Sequence, residues 1–176
     1  MPTIEELQKL ADTGRLDFEA GKYDSAAAIF EQAAGGYAAL NDLPNSAEMK
    51  NNMSVAFLKA GKAQEALDAV SGTDEVFANI RDLKRQGIAV GNLGSALEAL
   101  KRNDEALVAF ERSAQIFADA GEGDMRSTVL KSAAAIKLKS GRIAESAFKM
   151  IGSLEAKDKP SIFERILKFF LRFLQR

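Results

Sequence analysis

A 40-residue spacing recurs through most of this chain of 176 residues. Small residues repeat at this spacing, at Gly14, Ser54, Gly94 and Ala134. A second set comprises Ala26, Ala66, Ala106 and Ser146, and an aromatic set comprises Tyr37, Phe77 and Phe117. A fixed period of about 20 to 50 residues is typical of arrays in which each unit stacks on the next. The period therefore predicts about four repeated units.

Apolar residues within each unit recur every three or four residues, which predicts two amphipathic helices per unit. Capping-box sequences at Thr3-x-x-Glu6 and Asn45-x-x-Glu48 predict the start of the first helix in units one and two. Residues 41–44 are then expected to form a loop. Residues 71–73, Ser-Gly-Thr, are poor helix formers, so we expect the second helix of unit two to kink or fray there.

Composition excludes several kinds of active site. The chain has no Cys and no His, so it cannot form a zinc-thiolate site, an imidazole-based metal site or a Ser-His-Asp triad. The segment Gly91–Gly94 falls inside a predicted helix, where its backbone cannot cradle a phosphate. Carboxylates are spread along the predicted helix surfaces. We therefore predict that the protein is not an enzyme and needs no metal or cofactor.

The net charge of −1 is distributed unevenly along the chain. Residues 161–176 contain four basic residues and one acidic residue, so the other 160 residues carry a net charge of −4. An acidic body argues against nucleic acid as a partner. The first ten residues lack the basic and apolar blocks of a signal peptide, which predicts a cytoplasmic protein.

Units one and three carry small, turn and aromatic residues in an order that resembles the tetratricopeptide repeat. Unit one matches with Gly14, Gly21-Lys22-Tyr23, Ala26, Phe30 and Ala33, and unit three with Leu93-Gly94, Ala106, Phe110 and Ser113. Units two and four match less well, because Val70 and Met150 replace the aromatic residue. The 40-residue period resembles a longer variant of the usual repeat of about 34 residues. The resemblance implies an all-α, right-handed α-solenoid of about four helix-turn-helix units over residues 1–158.

In this family, the first helices of successive units line a concave groove that binds a polypeptide. The resemblance assigns to this groove Arg15, Phe18, Asn52, Val55, Leu58, Lys59, Asn92, Ser95, Glu98, Lys131, Leu138 and Lys139, and also Glu19 and Asn51. An Asn before the Leu-Gly position often binds the ligand backbone in the family, and Asn52 and Asn92 occupy that position. An amide can donate and accept hydrogen bonds at once, as a peptide group requires.

Residues 159–176 break the repeat and are predicted to form a basic amphipathic helix. Ser161-x-x-Glu164 is a capping box directly after Pro160. At about 100° per residue, the polar residues share a narrow arc, and the wide remaining face includes Phe163, Ile166, Leu167, Phe169, Phe170, Phe173 and Leu174. The sequence leaves three alternatives for what buries this apolar face: the repeat array, an anionic membrane surface, or another protein, including a second copy in a homodimer.

The sequence therefore predicts a non-enzymatic adaptor that binds a protein or peptide segment in the groove of its repeat array. The alternative is a peripheral membrane protein that its C-terminal helix anchors and whose repeats recruit a partner. In the first case the protein is cytoplasmic, and in the second it lies at the cytoplasmic surface of a membrane.

Overall fold

The computed structural model describes residues 2–139, and every regular element in this range is an α-helix. In chain order the helices are α1 (Ile4–Glu19), α2 (Tyr23–Ala39), α3 (Leu43–Lys59), α4 (Ala63–Val70), α5 (Thr73–Asn79), α6 (Leu83–Ala99), α7 (Asn103–Asp119) and α8 (Gly123–Lys139). The helices that open units two, three and four begin at Leu43, Leu83 and Gly123, so their starts follow the 40-residue spacing of the sequence. The predicted all-α class is confirmed for the described residues.

Neighbouring helices pack against one another along the chain. α1 packs on α2, α2 on α3, α3 on α4, and α6 on α7, while α3 and α6 contact each other as the first helices of adjacent units. These contacts lie within residues 1–133, which form one compact part of the chain. Packing between nearest neighbours is the arrangement of an α-solenoid built from helical repeats.

Glycine allows the two helices of units one and three to approach closely. A Cβ atom added at Gly14 would lie 2.8 Å from Cε1 of Phe30, and one added at Gly94 would lie 2.9 Å from Cδ1 of Phe110. Both aromatic rings are buried. Each ring fills the space that a larger residue would need, as close packing of a protein interior requires. These two glycines and two rings therefore belong to the buried core of units one and three.

The capping box that opens α1 is present as predicted. The backbone amide of Glu6 donates to Oγ1 of Thr3, and the carboxylate of Glu6 accepts from the amide of Thr3 at 2.7 Å. The hydrogen bonds to this carboxylate, first from the backbone and then from the hydroxyl of Thr3, lower the pKa of Glu6. Two otherwise unpaired amides at the helix start are thereby satisfied.

The predicted start of unit two at Asn45 is wrong by two residues, and the predicted loop at residues 41–44 is confined to residues 41 and 42. α3 begins at Leu43, and the carboxylate of Asp42 accepts from the amide of Asn45 at 3.2 Å. Pro44 lies inside the first turn, where its missing amide costs nothing because first-turn amides have no partner within the helix. Asp42 therefore caps this helix, and the Asn-x-x-Glu pattern lies one turn too late.

The second helix of unit two is divided into two short helices. α4 ends at Val70 and α5 begins at Thr73, with Gly72 between them at a φ of 75°. Glycine adopts this left-handed conformation without the steric cost that a Cβ atom brings. The corresponding helices of units one and three, α2 and α7, each continue for 17 residues. The kink predicted at residues 71–73 is confirmed, and it is a complete break.

Candidate functional site

A pocket between α1 and α3, the α1–α3 pocket, gathers five of the predicted groove residues: Arg15, Phe18, Glu19, Asn52 and Val55. Phe30 completes its lining, and the volume of the pocket is about 200 Å³. Phe30 comes from α2, which packs against both α1 and α3. Helices that are separated in the chain therefore place these side chains around one opening.

A second pocket, the α6–α8 pocket, has a volume of about 260 Å³ and includes the predicted residues Asn92 and Ser95. Its lining residues Ser95, Phe110 and Ser132 lie 80 positions after Arg15, Phe30 and Asn52, which line the α1–α3 pocket. Since 80 residues are two periods, the two pockets are equivalent sites in units one and three. Each is built around a buried Phe from the second helix of its unit.

The two pockets differ in charge. Arg15 and Glu19 line the α1–α3 pocket, whereas every residue that lines the α6–α8 pocket is uncharged. The guanidinium of Arg15 pairs with the carboxylate of Asp12, which lies on the same helix. Glu19 is exposed and makes no hydrogen bond or ion pair with any described residue. The α1–α3 pocket therefore carries one uncompensated negative charge.

Asn51 and Asn92 belong to a buried hydrogen-bond network beside the helix break. Nδ2 of Asn51 donates to the carbonyl oxygen of Ala47 at 2.9 Å and to Oγ1 of Thr73 at 3.0 Å. The hydroxyl of Thr73 donates to the carbonyl oxygen of Val70 at 2.7 Å. Oδ1 of Asn51 accepts from Nδ2 of Asn92 at 3.1 Å. Because Asn51 is 5% exposed, the prediction that it faces the groove is wrong.

The structure distinguishes the two Asn residues that were predicted to bind a ligand backbone. Asn52 is half-buried, and its amide makes no hydrogen bond within the part of the chain that the structure describes. Asn92 is also half-buried, but one of its amide hydrogens is engaged by Asn51. Asn52 therefore retains its full hydrogen-bonding capacity, and Asn92 retains part of it.

The other predicted groove residues line neither pocket. Two of them, Leu58 and Glu98, are half-buried. The other four are exposed, namely Lys59, Lys131, Leu138 and Lys139. The predicted C-terminal face, which includes Phe163, Ile166, Leu167, Phe169, Phe170, Phe173 and Leu174, lies outside the described residues. Among residues 2–139, no helix combines the length and the apolar character that crossing a membrane requires.

Several pocket residues are absent from the predicted set. The sequence presents Phe30 and Phe110 only as matches to the repeat pattern, although each also lines a pocket. Met125 and Thr128, from α8, contribute to the α6–α8 pocket. Phe110 lies two 40-residue periods after Phe30. If one of these rings is known to line a pocket, the period therefore predicts that the other does so too. The sequence holds no comparable signal for Met125 and Thr128, because their counterparts in α3 do not line the α1–α3 pocket.

A larger pocket of about 410 Å³ lies along α6 and α7, lined mainly by apolar side chains that include Leu93 and Leu97. The counterparts of these residues in unit two, Met53 and Phe57, pack against the core of unit one. Leu93 and Leu97 thus mark the junction between units two and three, where Val70 replaces an aromatic residue. We interpret this pocket as an incompletely filled junction between repeats.

Residues 12–73 match the tetratricopeptide repeat family. A comparison with curated proteins gives no match. The matched range extends from α1 to the start of α5, so it includes the α1–α3 pocket and the break at Gly72. Together with the consecutive helix packing, the match identifies residues 12–73 as repeats of the tetratricopeptide family.

Proposed function

We propose that this protein is a non-enzymatic adaptor that binds a segment of a partner protein along α1, α3, α6 and α8. The observation that carries the proposal is the pair of equivalent pockets in units one and three. Tetratricopeptide repeats generally mediate binding between proteins and are typically scaffolds without enzymatic activity. A polypeptide segment is a natural ligand for two sites that repeat along an array.

Pocket size supports a polypeptide ligand over a small molecule. The pockets have volumes of about 200 and 260 Å³, whereas sites for small molecules usually measure about 300–1,000 Å³. Each pocket therefore suits a single side chain of a longer ligand. Asn52, whose amide has no partner among the described residues, would bind a backbone peptide group between two such side chains.

Selection of peptides from a random library displayed on phage tests this proposal. The full-length protein serves as the target, and selected peptides are measured against Val55→Arg and Leu16→Arg. Arg at position 55 would fill the α1–α3 pocket, whereas Leu16 is exposed on α1 and lines neither pocket. We expect Val55→Arg to weaken binding at least tenfold and Leu16→Arg to leave it unchanged, with both variants keeping the thermal stability of the wild type. Selected peptides that bind both variants equally well would contradict the proposal.

The second candidate function is that of a peripheral membrane protein, and residues 161–176 favour it. This segment combines nine large apolar residues with four basic ones, as helices at membrane surfaces do. Flotation with anionic liposomes tests it, with a chain truncated after Asp158 as the comparison. Full-length protein that floats while the folded, truncated protein does not would support membrane binding, and failure of both to float would end this candidate.

A further inference from the structure

The floor of the α1–α3 pocket is apolar and held in place by its neighbours. Phe30 is buried against Gly14, where a Cβ atom would lie 2.8 Å from the ring. The ring of Phe18 meets that of Tyr23 edge-on, with 5.4 Å between the ring centroids. Val55 contributes an aliphatic surface from α3. This floor suits a large apolar side chain, since burying one is worth roughly 1.5–3 kcal/mol.

The charge beside this floor is negative. Arg15 is compensated by Asp12, whereas the carboxylate of Glu19 has no partner among residues 2–139. Residues 1–139 taken together have the same sign, because they contain 21 acidic and 16 basic side chains. A negative site in a negatively charged part of the chain attracts cationic ligands and repels anionic ones.

We propose that the α1–α3 pocket selects a partner segment in which a large apolar residue lies beside a Lys or Arg. The apolar side chain enters the pocket, and the cationic group pairs with Glu19. The α6–α8 pocket has no charged lining, so it takes an apolar residue of the same segment without a requirement for charge. This inference rests on the proposed function, because it specifies the chemistry of the ligand at that site.

The phage selection described above supplies the ligands for a test. From peptides whose binding is lost in Val55→Arg, we expect sequences that are enriched in Lys or Arg within one helical turn of a large apolar residue. Replacing that basic residue with Glu should weaken binding to the wild-type protein by about five- to tenfold at low salt, as expected for exposed ion pairs. The difference should shrink in 0.5 M NaCl because salt screens exposed charges.

Glu19→Gln is the decisive variant, since it keeps the shape of the side chain and removes its charge. In Glu19→Gln the Lys and Glu versions of a peptide should bind within about twofold of each other, and in the control Glu31→Gln, at an exposed position on α2, the preference should persist. Peptides that depend on Val55 but show no preference for Lys, or whose preference survives in Glu19→Gln, would overturn this inference alone. Failure to select any peptide that depends on Val55 would overturn the proposed function as well.

Discussion

The two helices of a unit pack through one kind of residue pair in units one and three and through a different pair in unit two. In units one and three, Gly14 and Gly94 leave room for the rings of Phe30 and Phe110. In unit two the corresponding pair is Ser54 and Val70, both buried. A larger residue on the first helix thus accompanies a smaller one on the second. The comparison shows that these two positions change in size in opposite directions between unit two and units one and three.

Unit two also differs in its polar interior. Its second helix breaks at Gly72, and Asn51 satisfies groups beside the break and binds Asn92 of unit three. At the position of Asn51, unit one has Ala11 and unit three has Gly91. A buried amide is tolerated in unit two because its hydrogen bonds are made. Unit two therefore replaces part of an apolar contact between helices with a hydrogen-bond network.

Removing the aromatic ring should expose the largest difference between the units. We expect Phe110→Ala to lower the free energy of unfolding by about 3–5 kcal/mol, because it deletes a buried ring and leaves a cavity. Val70→Ala removes two methyl groups from the equivalent position and should cost less, about 2 kcal/mol. Urea denaturation of the purified full-length protein measures both values. Equal losses would show that the two positions are not equivalent in packing.

Filling the space above a ring should have the next largest effect. Gly94→Ala places a Cβ atom 2.9 Å from the ring of Phe110, and we expect it to cost about 1–3 kcal/mol of unfolding free energy. The matched control is Gly35→Ala, which enters open space on α2 and should gain up to about 1 kcal/mol from helix propensity. Thermal and urea unfolding measure whether each substitution lowers or raises the free energy of unfolding. A gain in stability at both positions would contradict close packing in unit three.

Deleting the buried amide of unit two should cost about 1–2 kcal/mol of unfolding free energy, because Asn51→Ala removes three hydrogen bonds beside the break. Asn52→Ala, at the next residue, removes an amide without hydrogen bonds to described residues and should change stability by less than about 0.5 kcal/mol. Urea unfolding of the two variants distinguishes the contribution of the hydrogen-bond network to stability from that of a groove residue. Similar losses at both positions would argue that the network contributes little.

The smallest effect concerns the helix starts. Asp82 caps α6, whereas Arg102, before α7, makes no side-chain cap. The pKa of Asp82 is lowered: the hydrogen bond from the amide of Arg85 has the largest effect, burial opposes it, and the Arg85 guanidinium lowers the pKa further. Because the folded state has the lower pKa, this stabilisation is present above about pH 4, the ordinary pKa of Asp, and is lost as the pH falls through the folded value.

Asp82→Asn tests the contribution of that charge, since Asn caps helices but does not titrate. Between pH 5 and pH 3, we expect the wild type to lose about 1 kcal/mol more of its unfolding free energy than the variant does. Urea denaturation at a series of pH values measures this difference. If the two proteins lose stability in parallel, the carboxylate of Asp82 does not contribute to the acid sensitivity of the fold.

The sequence could predict the features that repeat. The period predicts the helix pairs, and the residues at 14, 30, 94 and 110 predict the packing of glycine against an aromatic ring. Ser-Gly-Thr at 71–73 predicts the break, because local backbone preference decides it. Five of the groove residues predicted on α1 and α3 also fall together in one pocket, but their role in binding stays a prediction.

Features that depend on contacts distant in the chain could not be predicted in the same way. Asn51 looks like a groove residue by its position, and only its approach to Thr73 and Asn92 shows that it is buried. The cap at Asp42 is obscured in the sequence because a competing pattern lies one turn later at Asn45. Glu19 stands out only once the structure shows that Arg15 already has a partner in Asp12.

The break at Gly72 lies in the unit that separates the two pockets along the chain. Units one and three each contain two continuous helices, and unit two, whose second helix is in two pieces, lies between them in the chain. A ligand that occupied both pockets would therefore span unit two and restrain its motion. The affinity of that ligand would depend both on the pockets and on how rigidly unit two fixes the distance between them. Any loss of motion within unit two on binding is a cost of binding.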